Sequence, residues 1–205
     1  MGRILLAAFL VSLAAPAFAA RTVMVFGDSL SAAYGIATDQ GWVSLLARHL
    51  AQSKPPWQVA NASVSGETTA GGLRRLAEDL RRHHPAIVVI ELGANDALRG
   101  QPIEGIRANL EQMVRIVREA HAVPVLVGIV IPPNYGIDYT REFRDIYAEV
   151  AKKERAALVP FLFAGIEDKP ENFQADQLHP AAAVQPRIRD NVLATLEPLL
   201  RKKAP

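Results

Sequence analysis

A serine, a histidine and an aspartate in this chain have the residue types and spacing of a nucleophilic centre. Ser29 follows the apolar run TVMVF and lies in the stretch GDSL, Gly27–Leu30. A serine hydroxyl is a weak nucleophile until a neighbouring base takes its proton. His179 is the candidate base, because it lies in a predicted loop while the other four histidines lie within or at the ends of predicted helices. Asp176, three residues earlier, could hold the imidazole tautomer, with capping of the last helix as its alternative role.

Donors for a developing oxyanion are available in two other predicted loops. Gly66 offers a backbone N–H that no side chain obstructs, and Asn95 offers an amide N–H after the third apolar run. The N–H of Ser29 would complete a hole of three donors. The alternatives are a simple turn glycine at Gly66 and an Asx turn at Asn95. Asp28 is expected to orient its loop as an acceptor, because adjacent side chains on an extended turn point to opposite sides.

These residues require elements that bring distant loops together, and the apolar runs supply them. The predicted strands are Val23–Phe26, Trp57–Ala62, Ile87–Leu92, Val125–Val130 and Ala157–Phe161. Stretches of helical period alternate with them at residues 41–52, 69–84, 103–122, 140–154 and 184–203. Continuous apolar strands indicate burial on both faces, as in a parallel sheet covered by helices. We therefore predict a three-layer α/β/α sandwich with strand order 2-1-3-4-5, in which the loops after the strands converge on one crevice.

The loop after the first strand also carries a local expectation. Gly27 is expected to allow a sharp turn, and a helix directly after Ser29 is expected to direct its backbone N–H groups towards the hydroxyl.

The first 19 residues have the order of regions found in a secretory signal. Arg3 precedes an apolar run from Ile4 to Ala15, and Pro16 and small residues follow it, with Ala19 as the expected cleavage site. An uncleaved membrane anchor is the alternative, although the apolar run is shorter than the roughly 20 residues of a comfortable span. We predict one domain at residues 20–205 and a periplasmic or secreted protein.

Composition excludes several classes of function. The chain has no cysteine, which excludes thiol catalysis, thiolate metal sites and disulfides. Its formal net charge is +2, and no basic stripe with interleaved aromatic residues is present, so nucleic-acid binding is not expected. We expect a monomer with no cofactor and no metal, and at most transient contact with a membrane surface.

Four stretches together resemble the blocks of the SGNH (GDSL) hydrolases, in the family's order and across most of the chain. They are GDSL at Gly27–Leu30, SGETTAGG around Gly66, GAND at Gly93–Asp96 and DQLHP at Asp176–Pro180. The resemblance implies Ser29 as nucleophile, Gly66 and Asn95 as oxyanion donors, and Asp176 with His179 completing the triad. One departure is Ala33, where many members carry glycine.

The resemblance is stronger to a bacterial periplasmic branch of that family, through GDSLSAAYG, ELGANDALRG and PPNYG. That branch implies hydrolysis of acyl-CoA thioesters, lysophospholipids and aryl or short-chain esters. Apolar residues in two loops could select the acyl chain, or some could simply fill the core: Leu98, Ile131, Pro132, Tyr135 and Ile137. A polysaccharide acetylesterase with the same triad, or a ligand-binding protein without catalysis, are the alternative functions.

Overall fold

Five parallel strands form the sheet at the centre of the computed structural model, which describes residues 21–202. The strands are β1 (Thr22–Gly27), β2 (Gln58–Asn61), β3 (Ile87–Glu91), β4 (Val123–Val127) and β5 (Ala157–Val159). They lie in the order β2-β1-β3-β4-β5, and each is parallel to its neighbours. This confirms the predicted sheet and strand order. The signal peptide predicted at residues 1–19 lies outside the described residues.

Helices cover both faces of the sheet. They are α1 (Trp42–Ala51), α2 (Thr69–His83), α3 (Ala94–Leu98), α4 (Ile103–Glu119), α5 (Ile137–Lys153) and α6 (Gln185–Lys202). Helices α2, α4 and α5 bury their apolar sides against one face, and α1 and α6 bury theirs against the other. Within residues 21–202, no helix combines the length and apolar character needed to cross a membrane.

The central strands are buried because successive side chains point to opposite faces, and both faces carry helices. In β1, Met24 and Phe26 lie in the core beneath α2 and α4. Val23 and Val25 lie in the core beneath α1 and α6. A run of consecutive apolar residues therefore finds an apolar partner on each side, as the sequence predicts.

Helix α5 differs from the prediction at its start, and α6 follows the prediction although it contains a proline. Helix α5 begins at Ile137 rather than Thr140, because the backbone N–H of Thr140 donates to the Gly136 oxygen at 3.0 Å and closes the first turn earlier. Helix α6 continues through Pro198, since Leu196 and Leu200 on either side of it are both buried. Tertiary burial thus outweighs the local cost of proline in a helix.

The loop after β1 does not contain the helix expected directly after Ser29. Residues 28–35 form consecutive turns, and α1 begins only at Trp42. The backbone N–H groups of Ser31 and Ala32 both donate to the Asp28 oxygen, at 3.2 and 3.0 Å. Ala33 has a φ of 60°. That left-handed conformation is unfavourable for a residue with a Cβ, which explains why a glycine suits this position.

Close contact between α2 and the sheet depends on Gly72. A Cβ added there would lie 2.6 Å from Leu92 Cδ1 and 3.1 Å from Phe26 Cε1. We expect Gly72→Ala to lower the free energy of unfolding by about 1–3 kcal/mol, because the added methyl group overpacks the core.

Gly105→Ala, in the exposed first turn of α4, is the matched control, since a Cβ there meets nothing within 4 Å. Its expected effect is a gain of up to about 1 kcal/mol from reduced chain entropy. Urea denaturation of both variants measures the two effects, and equal stability of both would contradict this description of α2 packing.

Candidate active site

The loops after β1 and β5 bring Ser29 and His179 into direct contact. Ser29 Oγ lies 2.8 Å from His179 Nε2, and His179 Nδ1 lies 2.7 Å from Asp176 Oδ2. The serine and the histidine are separated by 150 residues in sequence. The three side chains thus form a continuous hydrogen-bonded line from hydroxyl to carboxylate, which is the arrangement required to activate a serine.

Hydrogen bonds within its own segment hold the loop that carries His179. Asp176 Oδ1 accepts from the N–H groups of Leu178 and His179, at 2.9 and 3.0 Å. The N–H of Gln174 donates to the His179 oxygen at 2.8 Å. The ring of Tyr34 packs on the imidazole, with 4.4 Å between centroids. The orientation of His179 is therefore set by residues that precede it in its own loop and by Tyr34 from the loop after β1.

These contacts keep the Asp176 carboxylate charged to a lower pH than an ordinary aspartate. Burial alone would raise its pKa, but the two backbone N–H groups and the His179 side chain together lower the pKa to about 2. The same carboxylate both shapes its loop and faces Nδ1. Asp176 does not cap the last helix, the alternative role considered from the sequence, because that helix begins only at Gln185.

A buried acid at the end of β3 fixes the start of the β1 loop. Glu91 Oε2 accepts from the Ser31 hydroxyl at 2.6 Å and lies 3.3 Å from the backbone N of Asp28. Gly27 makes room for this carboxylate, because a Cβ there would lie 2.6 Å from Glu91 Oε2. Gly27 is itself the last residue of β1. Its contribution is therefore close packing rather than the sharp turn expected from the sequence.

Asn95 lies beside Ser29 in an orientation set by Asp28. The Asn95 Nδ2 group donates to Asp28 Oδ2 at 2.9 Å, and the N–H of Leu30 donates to Asp28 Oδ1 at 3.0 Å. An amide nitrogen has two hydrogens, so one remains for an acceptor in the adjacent cavity. Asp28 is fully buried and acts as the loop-orienting acceptor expected from the sequence.

Gly66 lies on the neighbouring loop, with a φ of 79°. Its oxygen accepts from Arg99 at 3.2 Å. This loop is tied to α3 through Asp96, which accepts from the Thr69 backbone N at 2.8 Å and from its hydroxyl at 2.6 Å. These hydrogen bonds join the start of α2, which follows the Gly66 loop, to α3. Asn95 belongs to α3, and so lies in a short helix rather than in the loop expected from the sequence. Gly66 itself does not line the cavity described next.

A cavity of about 190 Å³ opens beside Ser29, Asn95 and His179. Of the five apolar residues proposed to select an acyl chain, Leu98, Ile131 and Pro132 line it. Tyr135 and Ile137 do not, and they are 39% and 79% exposed. The structure therefore places these two candidates outside the cavity, because the turn before α5 leaves their side chains facing solvent.

Several wall residues were not found from the sequence. They are Leu30, Ala94, Ile129, Val130, Phe163 and Leu178. Each is an apolar residue in a segment that follows a strand, and Leu178 lies directly before His179. An apolar residue shortly after a strand, where the loops converge, is the sequence feature that could have identified these wall residues. Within residues 21–202, no group of three or more histidines and acids could hold a metal ion.

Comparisons with known proteins agree with this geometry. Residues 25–185 match the model of the GDSL-like lipase/acylhydrolase family. The chain is 49% identical over 182 residues to esterase TesA of Pseudomonas aeruginosa, covering 89% of this chain and 90% of that protein. It is 41% identical to thioesterase 1/protease 1/lysophospholipase L1 of Escherichia coli, covering 94% of this chain and 91% of that protein.

A solved structure is also similar. The psychrotrophic esterase EstA from Pseudoalteromonas sp., inhibited by monoethylphosphonate, superposes with a TM-score of 0.82 at 39% identity, covering 88% of this chain and 99% of that one.

The buried carboxyl groups beneath the site predict how stability depends on pH. Burial, opposed by the hydrogen bonds from Leu30 and Asn95, raises the pKa of Asp28 to about 6 from an ordinary value of 3.8. Burial and the nearby charge of Asp28 raise the pKa of Glu91 as well. The folded protein holds these protons more tightly than the unfolded chain. The stability that Asp28 contributes is therefore fully present below its ordinary pKa of 3.8 and is lost as the pH rises through about 6.

We expect Asp28→Asn to remove part of that loss, by on the order of 2–3 kcal/mol between pH 4 and pH 7. The same change should lower kcat on p-nitrophenyl acetate by about 10²-fold, since Asn95 loses the anion that orients its amide. Urea denaturation across that pH range, together with steady-state kinetics, measures both effects. A variant with wild-type kcat would contradict the positioning role of Asp28.

Proposed function

Because the chain belongs to the GDSL-like lipase/acylhydrolase family, we propose that it is a serine hydrolase of carboxylic esters and thioesters. The observation that carries this proposal is the 2.8 Å contact between Ser29 Oγ and His179 Nε2. Ser29 attacks the acyl carbonyl while His179 takes its proton, and Asp176 stabilises the imidazolium that forms. His179 then gives the proton to the leaving alcohol or thiol. Water repeats the sequence on the acyl-enzyme and regenerates Ser29.

The tetrahedral intermediate requires donors for its oxyanion. We assign this role to the backbone N–H groups of Ser29 and Gly66 and to the free amide hydrogen of Asn95. The orientation of Asn95 by Asp28 supports its part, because the donor is in place before substrate arrives. The Asp96–Thr69 contacts support the role of Gly66 as a donor, since they hold the start of α2, three residues after Gly66, against α3.

The substrate class follows from the cavity and from the relatives. The walls at Leu98, Ile129 and Ile131 are apolar, which suits an acyl chain better than a sugar. The Pseudomonas relative is named an esterase, and the Escherichia coli relative is named a thioesterase and lysophospholipase. We propose that this chain likewise accepts aryl and short-chain esters, acyl-CoA thioesters and lysophospholipids.

The proposal includes where the enzyme acts and in what form. We propose export to the periplasm or the exterior, on the basis of the charged, apolar and small-residue regions of residues 1–19. The triad and the proposed oxyanion donors all come from one chain, which supports a monomer that works without a cofactor.

Removing the nucleophile tests the central assignment. We expect Ser29→Ala to lower kcat on p-nitrophenyl butyrate by at least about 10⁴-fold and to abolish covalent labelling by a fluorophosphonate. Asn95→Ala should retain labelling and lose about 10²–10³-fold in kcat, as for one lost oxyanion donor. Thermal unfolding of both variants controls for misfolding. Wild-type turnover by Ser29→Ala would overturn the proposal.

The cavity wall predicts a difference between two apolar residues. Leu98→Ala should shift the preferred acyl length of p-nitrophenyl esters towards longer chains, since it enlarges the cavity beside Ser29. Tyr135→Ala is the matched control, because Tyr135 lies outside that cavity, and it should leave the chain-length profile unchanged. Ratios of kcat/KM across acetate to decanoate esters give the profile. The same profile in Leu98→Ala as in wild type would contradict the wall assignment.

A further inference from the structure

A second concavity adjoins the catalytic cavity and has a different chemical character. It has a volume of about 390 Å³ and shares five wall residues with that cavity: Val130, Ile131, Pro132, Phe163 and Leu178. The two spaces therefore lie side by side along a shared wall, and Ser29 lines the first of them. We call the second space the acidic groove, after Glu167 and Asp168, which line it.

One wall of the acidic groove is aromatic. Phe161 and Phe163 pack edge to face with 6.0 Å between centroids, and Phe163 and Phe173 do so at 5.7 Å. All three rings line the groove. Aromatic rings attract cations through the negative potential of their faces, and quaternary ammonium groups are the cations most often recognised in this way.

Two carboxylates line the groove, and Lys169, the next residue in the chain, does not line it. Glu167 and Asp168 are both exposed, and neither forms an ion pair with any residue in the range 21–202 that the structure describes. No lysine or arginine in that range lines the groove. A cation placed there gains attraction from both carboxylates without displacing a partner.

We propose that the acidic groove binds a quaternary ammonium group on the leaving side of the substrate, as in choline-type esters. This inference rests on the proposed function, because it uses the same nucleophile. The acyl group occupies the cavity beside Ser29, and the cationic alcohol or thiol extends along the shared wall towards Phe163. The aromatic wall takes the methyl groups of the ammonium, and the carboxylates of Glu167 and Asp168 balance its charge.

The chemical step is the same acyl transfer. Ser29 Oγ forms a bond to the carbonyl carbon, the bond from that carbon to the choline oxygen or sulfur breaks, and the leaving atom takes the proton that His179 accepted from Ser29. The ammonium keeps its charge throughout. The groove therefore acts on selection of the leaving group and not on the bond changes themselves.

A pair of substrates that differ only in charge tests the inference. Butyrylthiocholine carries a trimethylammonium group, and S-(3,3-dimethylbutyl) thiobutyrate carries a neutral tert-butyl group of the same shape. We expect wild-type kcat/KM to favour the cation by about 3–30-fold at low salt, and the ratio to fall in 0.5 M NaCl because exposed charges are screened. A ratio near 1 at low salt would overturn the inference.

Two variants test whether the preference for the cationic substrate arises from the acidic groove. In Glu167→Gln/Asp168→Asn the ratio of the two kcat/KM values should fall towards 1. Glu171→Gln, on the same loop but outside the groove, should keep the wild-type ratio. A preference retained in the double variant would show that the cation binds elsewhere. The ratio is internally normalised, so a general loss of active protein does not change it.

Inhibition of the wild-type enzyme gives a second measurement that needs no variant. Choline should inhibit p-nitrophenyl acetate hydrolysis more strongly than 3,3-dimethylbutan-1-ol by a similar factor, and equal inhibition would contradict the groove assignment. Failure of the proposed function is distinguishable, since it would appear as loss of Ser29-dependent turnover of the neutral thioester as well.

Discussion

The hydrogen bond between Ser29 and His179 determines what the rest of the molecule must achieve. It joins two residues that are 150 positions apart at 2.8 Å, a distance that is lost with a small shift of either loop. Parallel strands solve this problem, because each strand delivers its following loop to the same edge of the sheet. The core on both faces of the sheet then fixes that edge, since buried strands such as β1 and β3 cannot slide past one another without exposing apolar side chains.

The loops at that edge are held by buried polar groups rather than by apolar packing. Glu91 secures the β1 loop through Ser31, and Asp28 orients Asn95. Two neighbouring buried carboxyl groups are unfavourable for stability, as the raised pKa values of Asp28 and Glu91 indicate. Sites that must hold an oxyanion often contain such costs, because fixed polar groups have to be in place before the charge develops. The unfavourable burial of Asp28 and Glu91 is consistent with polar groups that are already in position before a substrate binds.

The two adjoining spaces near Ser29 provide different environments. The cavity beside Leu98 and Ile129 is apolar, and the groove beyond Phe163 adds aromatic rings and carboxylates. The division fits a substrate with an apolar acyl half and a charged leaving half. The loop after β5 contributes to both parts, since it carries His179 as well as Glu167 and Asp168. One loop therefore carries both the proposed catalytic base and the carboxylates proposed to select the leaving group.

The sequence alone determined the sheet, its strand order and the residues placed at the strand ends, because apolar runs and their alternation with helical segments reflect local burial. It did not determine the chain path after Ser29, where turns replace the expected helix, or the part of Gly27, which only the position of Glu91 explains. Nor could it separate Leu98, which lines the cavity, from Ile137, which faces solvent. These features depend on contacts between segments far apart in the chain, and a one-dimensional pattern carries no information on which distant side chains meet.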